Sequence, residues 1–468
     1  MRCMMGSPKE RRLSMRIAIT KPLFAWDSLE DSPSLHTIRQ LLASLPDGRL
    51  LQGLREFRGR GRDDYPVSVL WGVVLLRILL RHVSFEAVLA ELRRNAGLAA
   101  LIGISSEKEV PKAWNVSRFL EGLGREPHRS HLREMFAEMV RRLGQVVPDL
   151  GRNTAGDSTA LHARGTHNAK TVAAETAAGL PQPTAGRKEY TDDQGNVAAI
   201  VEWFGYKLHL LVDARHEVAL AYETTSAHAP DGATVPALVA QAQAMLPADR
   251  IQTLAYDKAA DDGHVHAALA AAKIRPVIEN RRLWKDEPER LLPGHDGTTN
   301  VVYDEAGTLY CYDRTGETPV KHEMSYIGYE PQRQTIKYRC PARHEGWHCP
   351  SEAICNADKE YGKTVRVDCT LDLRRFPPIP RATKKFERLY AGRTSVERVN
   401  ARLKIFWGVD DGNIRGARRF AGMIGTVMVV HVAFATALAA APRRDGTLGK
   451  LRLGPIQEAL QAACRSRS

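Results

Sequence analysis

The sequence predicts an α/β protein: a mixed sheet with flanking helices, preceded by an all-helical region and interrupted by a Cys-containing, β-rich insertion. Residues 34–150 have the apolar spacing of helices, whereas residues 151–282 alternate strand and helix signals. Residues 283–385 are polar and turn-rich and contain five of the seven cysteines. A chain of 468 residues is long enough for two or three domains.

The composition predicts a globular protein that favours polyanions. Hydrophobic residues make up 43% of the chain and charged residues 26%, as in ordinary globular domains. The formal net charge of +13 favours nucleic acid as the partner, with an anionic membrane surface as the alternative. An odd number of cysteines and a start without an apolar segment argue against a secreted disulfide framework. We therefore expect a cytoplasmic protein.

The region 34–150 is predicted to be helical because apolar residues recur at helical spacing and Pro66 stands where a first turn would begin. Basic residues recur along it. The predicted helices are Ser34–Leu45, Pro66–Leu80, one beginning at Ser84, one capped by Asn115 or Ser117 and ending at Leu123, and His131–Leu143.

The region 151–282 is predicted to form the sheet. A weak strand signal leads into Asp157, and residues 162–195 are polar and rich in Gly, Ala and Thr, which predicts a loop. The later predicted elements are strands Tyr206–Asp213 and Glu217–Thr225, helix Val235–Met245, strand Ile251–Tyr256, helix His264–Ala272 and strand Arg275–Ile278. This order predicts a mixed sheet with helices on its faces.

An uncharged segment, Phe420–Ala441, is long enough to span a membrane. It is rich in Ala and Gly and is flanked by arginines on both sides, so it carries no orientation bias. A helix buried in a large core is the preferred interpretation, and no membrane partner is expected.

The segment Tyr390 to Lys404 reads YAGRTSVERVNARLK, with the spacing Y-x2-R-x3-E-x6-K. On a helix, Glu397 and Lys404 lie together, well away from an apolar stripe. The stripe consists of Val396, Val399, Leu403 and Phe406. A structural alternative is a capping box, in which Glu397 reaches back to the backbone N–H of Thr394.

This spacing resembles the signature of bacterial insertion-sequence transposases of the DDE type, which have a ribonuclease-H-like catalytic fold. The blocks GDST (156–159) and LAYDKAADD (254–262) resemble the two aspartate blocks of that family, and GYKLH (205–209) resembles its second strand. The family usually has Gly-Tyr where this chain has Ala259-Ala260. The helical N-terminal region also resembles that of these transposases, which implies that it binds the ends of the element; a helical cap on the next domain is the alternative.

The resemblance implies a definite domain organisation and location. We expect a bacterial cytoplasmic, nucleoid-associated protein. The expected parts are a loose segment 1–33, a helical DNA-binding domain 34–150, a catalytic core in two pieces (151–282 and 386–441), the insertion 283–385, and a basic tail 442–468.

Asp157, Asp257 and Glu397 are the expected catalytic, metal-binding carboxylates. Both aspartates follow predicted strands, and neighbouring parallel strands bring their carboxyl ends to one edge of a sheet. Each aspartate has a structural alternative: Asp157 as a cap or turn residue, and Asp257 with Asp261 and Asp262 as rivals, one of which caps the next helix.

Three converging carboxylates would repel one another unless cations lay between them. Oxygen ligands of this kind select Mg²⁺, for which Mn²⁺ can substitute. The resemblance implies cleavage of double-stranded DNA at the element ends and strand transfer to target DNA, by a homodimer or larger assembly. Two alternatives stay open: a metal-dependent nuclease of the same fold without strand transfer, and a catalytically inactive DNA-binding derivative.

The resemblance also implies that Tyr390, Arg393 and Lys404 contact DNA phosphates. Arg393 suits a bidentate phosphate clamp and Lys404 a point charge. Arg415 and Arg418, with the adjacent Arg419, are expected either to extend the phosphate track or to form a solvated helix start.

Cysteines clustered in the insertion are candidate ligands of one structural Zn²⁺. None of the gaps is a C-x2-C, and reduced buried cysteines are the alternative. The candidate set is Cys311, Cys340, Cys349 and Cys355, with His344, His348 and Cys369 also available. We expect His209 and His228 to be structural or to lie beside the substrate rather than to bind metal.

Overall fold

A computed structural model describes residues 33–59, 65–165, 168–191, 196–293, 301–356, 359–411 and 414–440. The loose N-terminal segment expected at 1–33, apart from Pro33, and the basic tail expected at 442–468 lie outside these residues.

The N-terminal region is helical, as predicted. Its helices are α1 (Pro33–Ser44), α2 (Gly48–Arg58), α3 (Val67–Leu79), α4 (Phe85–Arg94), α5 (Ala96–Leu101), α6 (Ala113–Leu123) and α7 (His128–Val146). The sequence did not predict α2, which buries only two leucines, or α5, which has six residues. Ser84 caps α4 by accepting from the Ala87 N–H. Asn115 and Ser117 do not cap α6; they lie inside it, and it begins after Lys112.

Helix α3 lies in the centre of this region. Eleven of its thirteen residues are buried, including the charged Arg77. A helix that is apolar on every side needs neighbours on every side. Helices α2, α4, α6 and α15 (Ala417–Ala440) pack around it, so the N-terminal helices and the C-terminal helix form one layer.

The central sheet is mixed and has six strands. Its elements are β1 (Asn153–His162), α8 (Ala169–Ala177), β2 (Thr184–Thr191), β3 (Val197–Asp213), β4 (Ala219–Ser226), α9 (Val235–Met245), β5 (Thr253–Tyr256), α10 (Gly263–Ala271) and β6 (Arg275–Ile278). The strand order is β2-β3-β1-β5-β6, and β4 pairs with β3. Strands β1, β5 and β6 are parallel, whereas β3 runs antiparallel to β1. This is the predicted ribonuclease-H-like arrangement.

The predicted loop at 162–195 is wrong. It contains α8 and β2, and β2 pairs antiparallel with the first half of β3 from Thr184↔Gly205 to Thr191↔Val197. Residues 187–189 of β2 and 197–202 of β3 are exposed at successive positions, so the period-2 alternation that predicts a half-buried strand is missing.

The insertion is β-rich, as predicted, and forms two further sheets. Its elements are β7 (Glu289–Leu291), β8 (Val301–Asp304), β9 (Leu309–Asp313), β10 (Val320–Glu323), β11 (Ser325–Glu330), β12 (Thr335–Arg339), α11 (Pro341–Glu345), α12 (Glu352–Asn356) and β13 (Thr364–Asp368). Its buried residues form a small core of their own, between Leu292 and Phe376.

The chain then returns to the central sheet through α13 (Lys384–Tyr390), α14 (Thr394–Ile405) and α15. By length and composition alone, α15 could span a bilayer, but 72% of its most apolar window is buried inside the protein. It packs on α6 and α7, which confirms the prediction of a buried helix. One continuous core joins the N-terminal helices, the central sheet, α14 and α15.

Candidate active site

The two predicted aspartates lie at the same level of neighbouring parallel strands. Strand β1 pairs with β5 in the register Asn153↔Thr253 to Ala155↔Ala255. The offset of 100 residues is also the separation of Asp157 and Asp257. Asp257 follows the last residue of β5, as predicted, whereas Asp157 lies inside β1, which continues to His162. The predicted strand was too short because small and polar residues follow Asp157.

Asp157 is a buried carboxyl with a strongly perturbed affinity for protons. Burial, reinforced by the Asp257 carboxylate, raises its pKa to about 6, although the Ser158 N–H, Lys188 and Arg393 act in the opposite direction. The Ser158 N–H donates to Asp157 Oδ1 at 2.8 Å. A group in this state favours a positive charge placed beside it.

The structure separates the three rival aspartates by their contacts. Asp262 caps α10 by accepting from the N–H groups of His264 and Val265. Asp261 is buried and pairs with two arginines of the insertion, as described below. Asp257 accepts from the Ala259 N–H, as a cap would, but it is also the member of the three that lies beside Asp157.

Asp261 ties the insertion to the sheet. Arg374 Nε lies 2.8 Å from its Oδ2, and Arg381 Nη2 lies 3.2 Å from its Oδ1. His266 Nε2 lies 3.0 Å from the same Oδ1. Burial by itself would raise the pKa of Asp261, but these partners hold the pKa below its usual value. The contacts account for Asp261 as a structural anchor.

Helix α14 presents Glu397 at the same edge of the sheet. Val396, Val399 and Leu403 are fully buried, so the predicted apolar stripe seats the helix on β1 and β3 while Glu397 stays exposed. The capping box does not form: the Thr394 hydroxyl donates to the Ala391 carbonyl, and the Glu397 carboxylate pairs with Arg393.

Arg393 links the third carboxylate to the first. Its Nη2 lies 2.8 Å from Glu397 Oε1, and its Nη1 lies 4.0 Å from Asp157 Oδ2. The guanidinium therefore stands between the two acidic side chains. Throughout the part of the chain that the structure describes, no three His, Cys, Asp or Glu side chains are placed to hold a metal ion together. Asp157 and Asp257 are therefore the candidate ligands of a divalent cation. Glu397 could become a third ligand if Arg393 moved away from it.

A buried ion pair holds α14 in place on the sheet. Glu217, in the turn between β3 and β4, accepts from Arg398 Nε at 2.5 Å and from Arg402. Glu217 and Arg402 are both buried, and a buried charge without its partner is costly. This contact sets where Glu397, next to Arg398, meets the strands.

The predicted phosphate-binding residues differ in their surroundings. The Tyr390 hydroxyl donates to Glu279 Oε2 at 3.0 Å, and its ring stacks on Phe386. Lys404 Nζ donates to the Ala160 carbonyl at 2.7 Å, at the end of the strand that bears Asp157. Both side chains are half-buried at the same edge of the sheet as Glu397.

The arginines before and within α15 include two that bind the protein itself. Arg419 Nη2 lies 2.9 Å from Glu121 of α6, and Arg418 Nη1 lies 3.9 Å from the same carboxylate. Arg415 is exposed. Arg418 and Arg419 thus join α15 to α6, a role that the sequence did not suggest.

Behind Asp157, on the opposite face of the sheet, lies a polar cluster that sequence reasoning missed. Asp231 Oδ1 accepts from Ser158 Oγ and from Lys207 Nζ, each at 2.9 Å. His209 Nδ1 is 3.8 Å from the same oxygen, and burial lowers the pKa of His209 to about 4. His209 is thus structural, one of the two roles expected for it. The tripeptide Asp-Gly-Ala at 231–233 resembles an ordinary turn, so no sequence signal marks Asp231.

Gly156, Tyr256 and Lys188 lie around the first aspartate, and the structure explains the contact of each. A Cβ on Gly156 would lie 2.5 Å from the ring of Tyr256, so only glycine allows β1 and β5 to approach here. The Tyr256 hydroxyl is buried without a partner, and burial, followed by Asp231, Asp157 and Asp257, raises its pKa. Lys188 on β2 is close enough to lower the pKa of Asp157. Sequence reasoning missed this residue because a loop was predicted where β2 lies.

The four candidate zinc ligands line one cavity of about 20 Å³ in the insertion. Burial, followed by the nearness of Cys340, Cys349 and Cys355, raises the pKa of Cys311 to about 12. The described residues nevertheless contain no ready three-ligand set. All four are free cysteines, of which only Cys340 is fully buried, and a structural Zn²⁺ stays a prediction from the sequence.

Comparison with known protein families adds independent findings. A family model described as Transposase DDE domain matches residues 152–433, which include both aspartates, Glu397 and the insertion. A second model, Transposase domain (DUF772), matches residues 27–122 in the helical N-terminal region. No curated protein matches the chain at a significant level.

Proposed function

Because the chain belongs to the transposase DDE domain family, whose members act on DNA with divalent metal ions, we propose a specific reaction for it. It binds the ends of an insertion sequence, cuts the DNA there with Mg²⁺, and joins the freed 3′ ends to target DNA. The observation that supports this most directly is the placement of Asp157 and Asp257 at one level of parallel strands, with Glu397 linked to them through Arg393.

Asp157, Asp257 and Glu397 are the residues that would hold the metal. When bound, divalent ions supply activation of a water or a DNA 3′-hydroxyl and stabilisation of the leaving oxygen in an in-line displacement. The raised pKa of Asp157 fits this role, because a buried carboxylate beside a second one favours a nearby cation. Mn²⁺ is expected to substitute for Mg²⁺.

In the proposed reaction cycle, Arg393 pairs first with Glu397 and then with a DNA phosphate. Without DNA its guanidinium neutralises Glu397 and lies near Asp157. With DNA, the same planar donor can instead clamp a phosphate oxygen beside the scissile bond. The exchange leaves Glu397 available to the metal when substrate is present.

Lys404 and Tyr390 border the path of the DNA. Lys404 Nζ, held at the end of β1 by the Ala160 carbonyl, presents a positive charge on the strand that bears Asp157. Tyr390 is held by Glu279 and Phe386, which orients its ring at the start of α14. Arg415 extends the positive track. Two element ends have to meet for transposition, so we propose that a dimer or larger assembly acts on DNA.

The test is metal-dependent cleavage and joining of a DNA that contains the element's own ends. We would compare wild type with Asp157→Asn, Asp257→Asn and Glu397→Gln, and confirm by gel shift that each variant binds DNA. Losing a metal ligand should cost more than the roughly 10- to 100-fold typical of residues that only support ligands. Asp249→Asn is the matched control, because Asp249 is exposed with a φ of 54°, which asparagine tolerates.

Each outcome points to one interpretation. Loss of cleavage in all three variants with binding retained supports the triad. Activity in Glu397→Gln would remove Glu397 from it. Cleavage by wild type without joined products would indicate a nuclease of the same fold, and binding without cleavage would indicate an inactive derivative.

A further inference from the structure

Arg81, at the end of α3, has an unusual backbone. Its φ is 59°, in the left-handed region, and the N–H of the next residue, His82, closes the helix by donating to the Arg77 carbonyl at 2.9 Å. Glycine is the usual residue at this position of a helix end. A non-glycine residue is strained in this conformation and persists only where the surrounding structure holds it. The contacts of the arginine side chain are therefore of interest.

The guanidinium of Arg81 caps the helix that bears Glu397. Its Nε donates to the Ile405 carbonyl at 2.6 Å, and its Nη2 donates to the Lys404 carbonyl at 3.3 Å. These are among the last carbonyls of α14, which have no partner within the helix. A cation at the carboxyl end of a helix also interacts favourably with the helix dipole.

The same guanidinium binds Asp411, just beyond α14. Arg81 Nη1 lies 2.5 Å from Asp411 Oδ2 and Nη2 lies 3.1 Å from Oδ1, while Arg77 Nη2 reaches Oδ2 at 3.1 Å. The turn that brings Asp411 back requires Gly408, with a φ of 61°. A Cβ there would lie 2.1 Å from Asp411 and 2.4 Å from Arg81 Nη1, so the three groups fit closely.

The residue before Asp411 ties the same turn to β1. Asp410 Oδ1 accepts from the His162 N–H at 2.6 Å, and Asp410 Oδ2 lies 3.5 Å from Lys404 Nζ. Lys404 in turn donates to the Ala160 carbonyl. Residues 404–411, which begin at the end of the helix that bears Glu397, therefore contact the strand that bears Asp157. They also contact two arginines of the N-terminal helices.

These arginines are poorly placed to bind DNA phosphates. The Arg77 side chain is 2% exposed, and burial lowers its pKa, with Asp411 opposing the shift. Arg81 uses Nε, Nη1 and Nη2 on two carbonyls and one carboxylate of the same protein. Their donors are directed at α14 and Asp411.

We propose that Arg81 is a positioning residue, through which the N-terminal helices hold α14 in the register that brings Glu397 to Asp157 and Asp257. The inference rests on the proposed function. It assigns to the N-terminal region a part in assembling the catalytic edge, beyond binding DNA. Asp411 is the partner through which Arg81 acts.

The most informative variant is Arg81→Gly. It deletes the guanidinium and relieves the left-handed backbone, so loss of folding is less of a concern than with Arg81→Ala. Asp411→Asn removes the charge from the other side, and the double variant should lose less than the sum of the two single losses, because the two residues share one ion pair. Arg141→Ala, at an exposed arginine paired with Glu138, is the matched surface control.

A second control separates positioning from stability. Val88→Ala opens a cavity in α4, which packs on α3, α5 and α6, and it lowers the thermal midpoint without changing Arg81 or Asp411. The measurements are gel shift with the element ends, the single-turnover cleavage rate at saturating protein, Mn²⁺ affinity of the complex with the element ends, and the ratio of the rates in Mg²⁺ and Mn²⁺. Mg²⁺ demands a more exact octahedral site, so misplacing Glu397 should reduce the Mg²⁺ rate more.

In Arg81→Gly we expect DNA affinity within about twofold of wild type, cleavage lowered roughly 10- to 100-fold as for residues that support metal ligands, and a lower Mg²⁺ to Mn²⁺ rate ratio. Wild-type cleavage in Arg81→Gly, or the same profile in Val88→Ala, would overturn the inference. So would loss of DNA affinity, which would make Arg81 a DNA contact. If wild type itself does not cut, the proposed function fails, and unchanged Mn²⁺ affinity of the Arg81→Gly complex with the element ends would separately overturn the positioning role.

Discussion

Asp157, in β1, lies level with Asp257, the residue after β5, because these parallel strands pair with the same offset of 100 residues that separates the two aspartates. Each carboxyl lies in the field of the other, and burial keeps water from screening that of Asp157. The two carboxylates therefore repel each other, and a divalent cation bound between them would relieve this repulsion. This relationship leads to the first prediction.

Asp157→Asn should stabilise the metal-free protein at high pH. The folded pKa of Asp157 is about 6 against an ordinary value of 3.8, so the cost of ionising it is present above pH 6 and absent below the ordinary value. The difference corresponds to at most about 3 kcal/mol. In EDTA the variant should melt a few degrees above wild type at pH 8, and the gap should shrink at pH 5. A lower midpoint for the variant at pH 8 would contradict this.

Asp261→Asn should lower the stability of the protein, whereas Asp257→Asn should abolish its activity. Asp261 is fully buried between Arg374 and Arg381, and removing one partner of a buried ion pair costs about 3–5 kcal/mol. Asp261→Asn should therefore lower the free energy of unfolding measured in urea. Asp257→Asn should leave that quantity nearly unchanged and abolish cleavage. Equal stability of the two variants would show that Asp261 is not the anchor of the insertion.

Arg393→Gln should strengthen metal binding in the absence of DNA while slowing cleavage. The guanidinium neutralises Glu397 and lies 4.0 Å from Asp157, so its removal makes the site more negative. Calorimetric titration with Mn²⁺ at pH 7.5 should show a higher affinity than wild type. Arg141→Gln is a control that removes one arginine elsewhere, because Arg141 pairs with Glu138 on α7 instead. Weaker Mn²⁺ binding in Arg393→Gln would contradict the role of Arg393 as counter-ion.

Gly124→Ala should destabilise the packing of α15 on α6. A Cβ at Gly124 would lie 1.8 Å from the Arg418 carbonyl oxygen, and a backbone group cannot move aside as a side chain can. Overpacking of this kind typically costs about 1–3 kcal/mol. The thermal midpoint should fall, whereas Gly48→Ala, where a Cβ meets nothing within 4 Å, should change little. Equal midpoints would mean that the helices separate without cost.

Features that depend on neighbouring residues were predictable from the sequence. The apolar stripe of α14 follows helical spacing, and Val396, Val399 and Leu403 are all buried. The buried nature of α15 and the order of the later strands and helices follow from local hydrophobicity in the same way. Asp157, Asp257 and Glu397 were recognised from short motifs, and the folded chain places them at one edge of the sheet.

Features that depend on distant residues were decided by the tertiary structure. Three neighbouring aspartates look alike in sequence, and the partners of Asp261, more than 100 residues away, distinguish it from Asp257. Arg81 and Asp411 are 330 residues apart, and Asp231 meets Ser158 across 73. Such contacts leave no periodic pattern along the chain, because packing of helices and sheet, and not local spacing, brings the residues together. The sequence by itself determined the later strands and helices of the sheet and the residues of the candidate triad, whereas only the folded chain decided which charges oppose, support or anchor them.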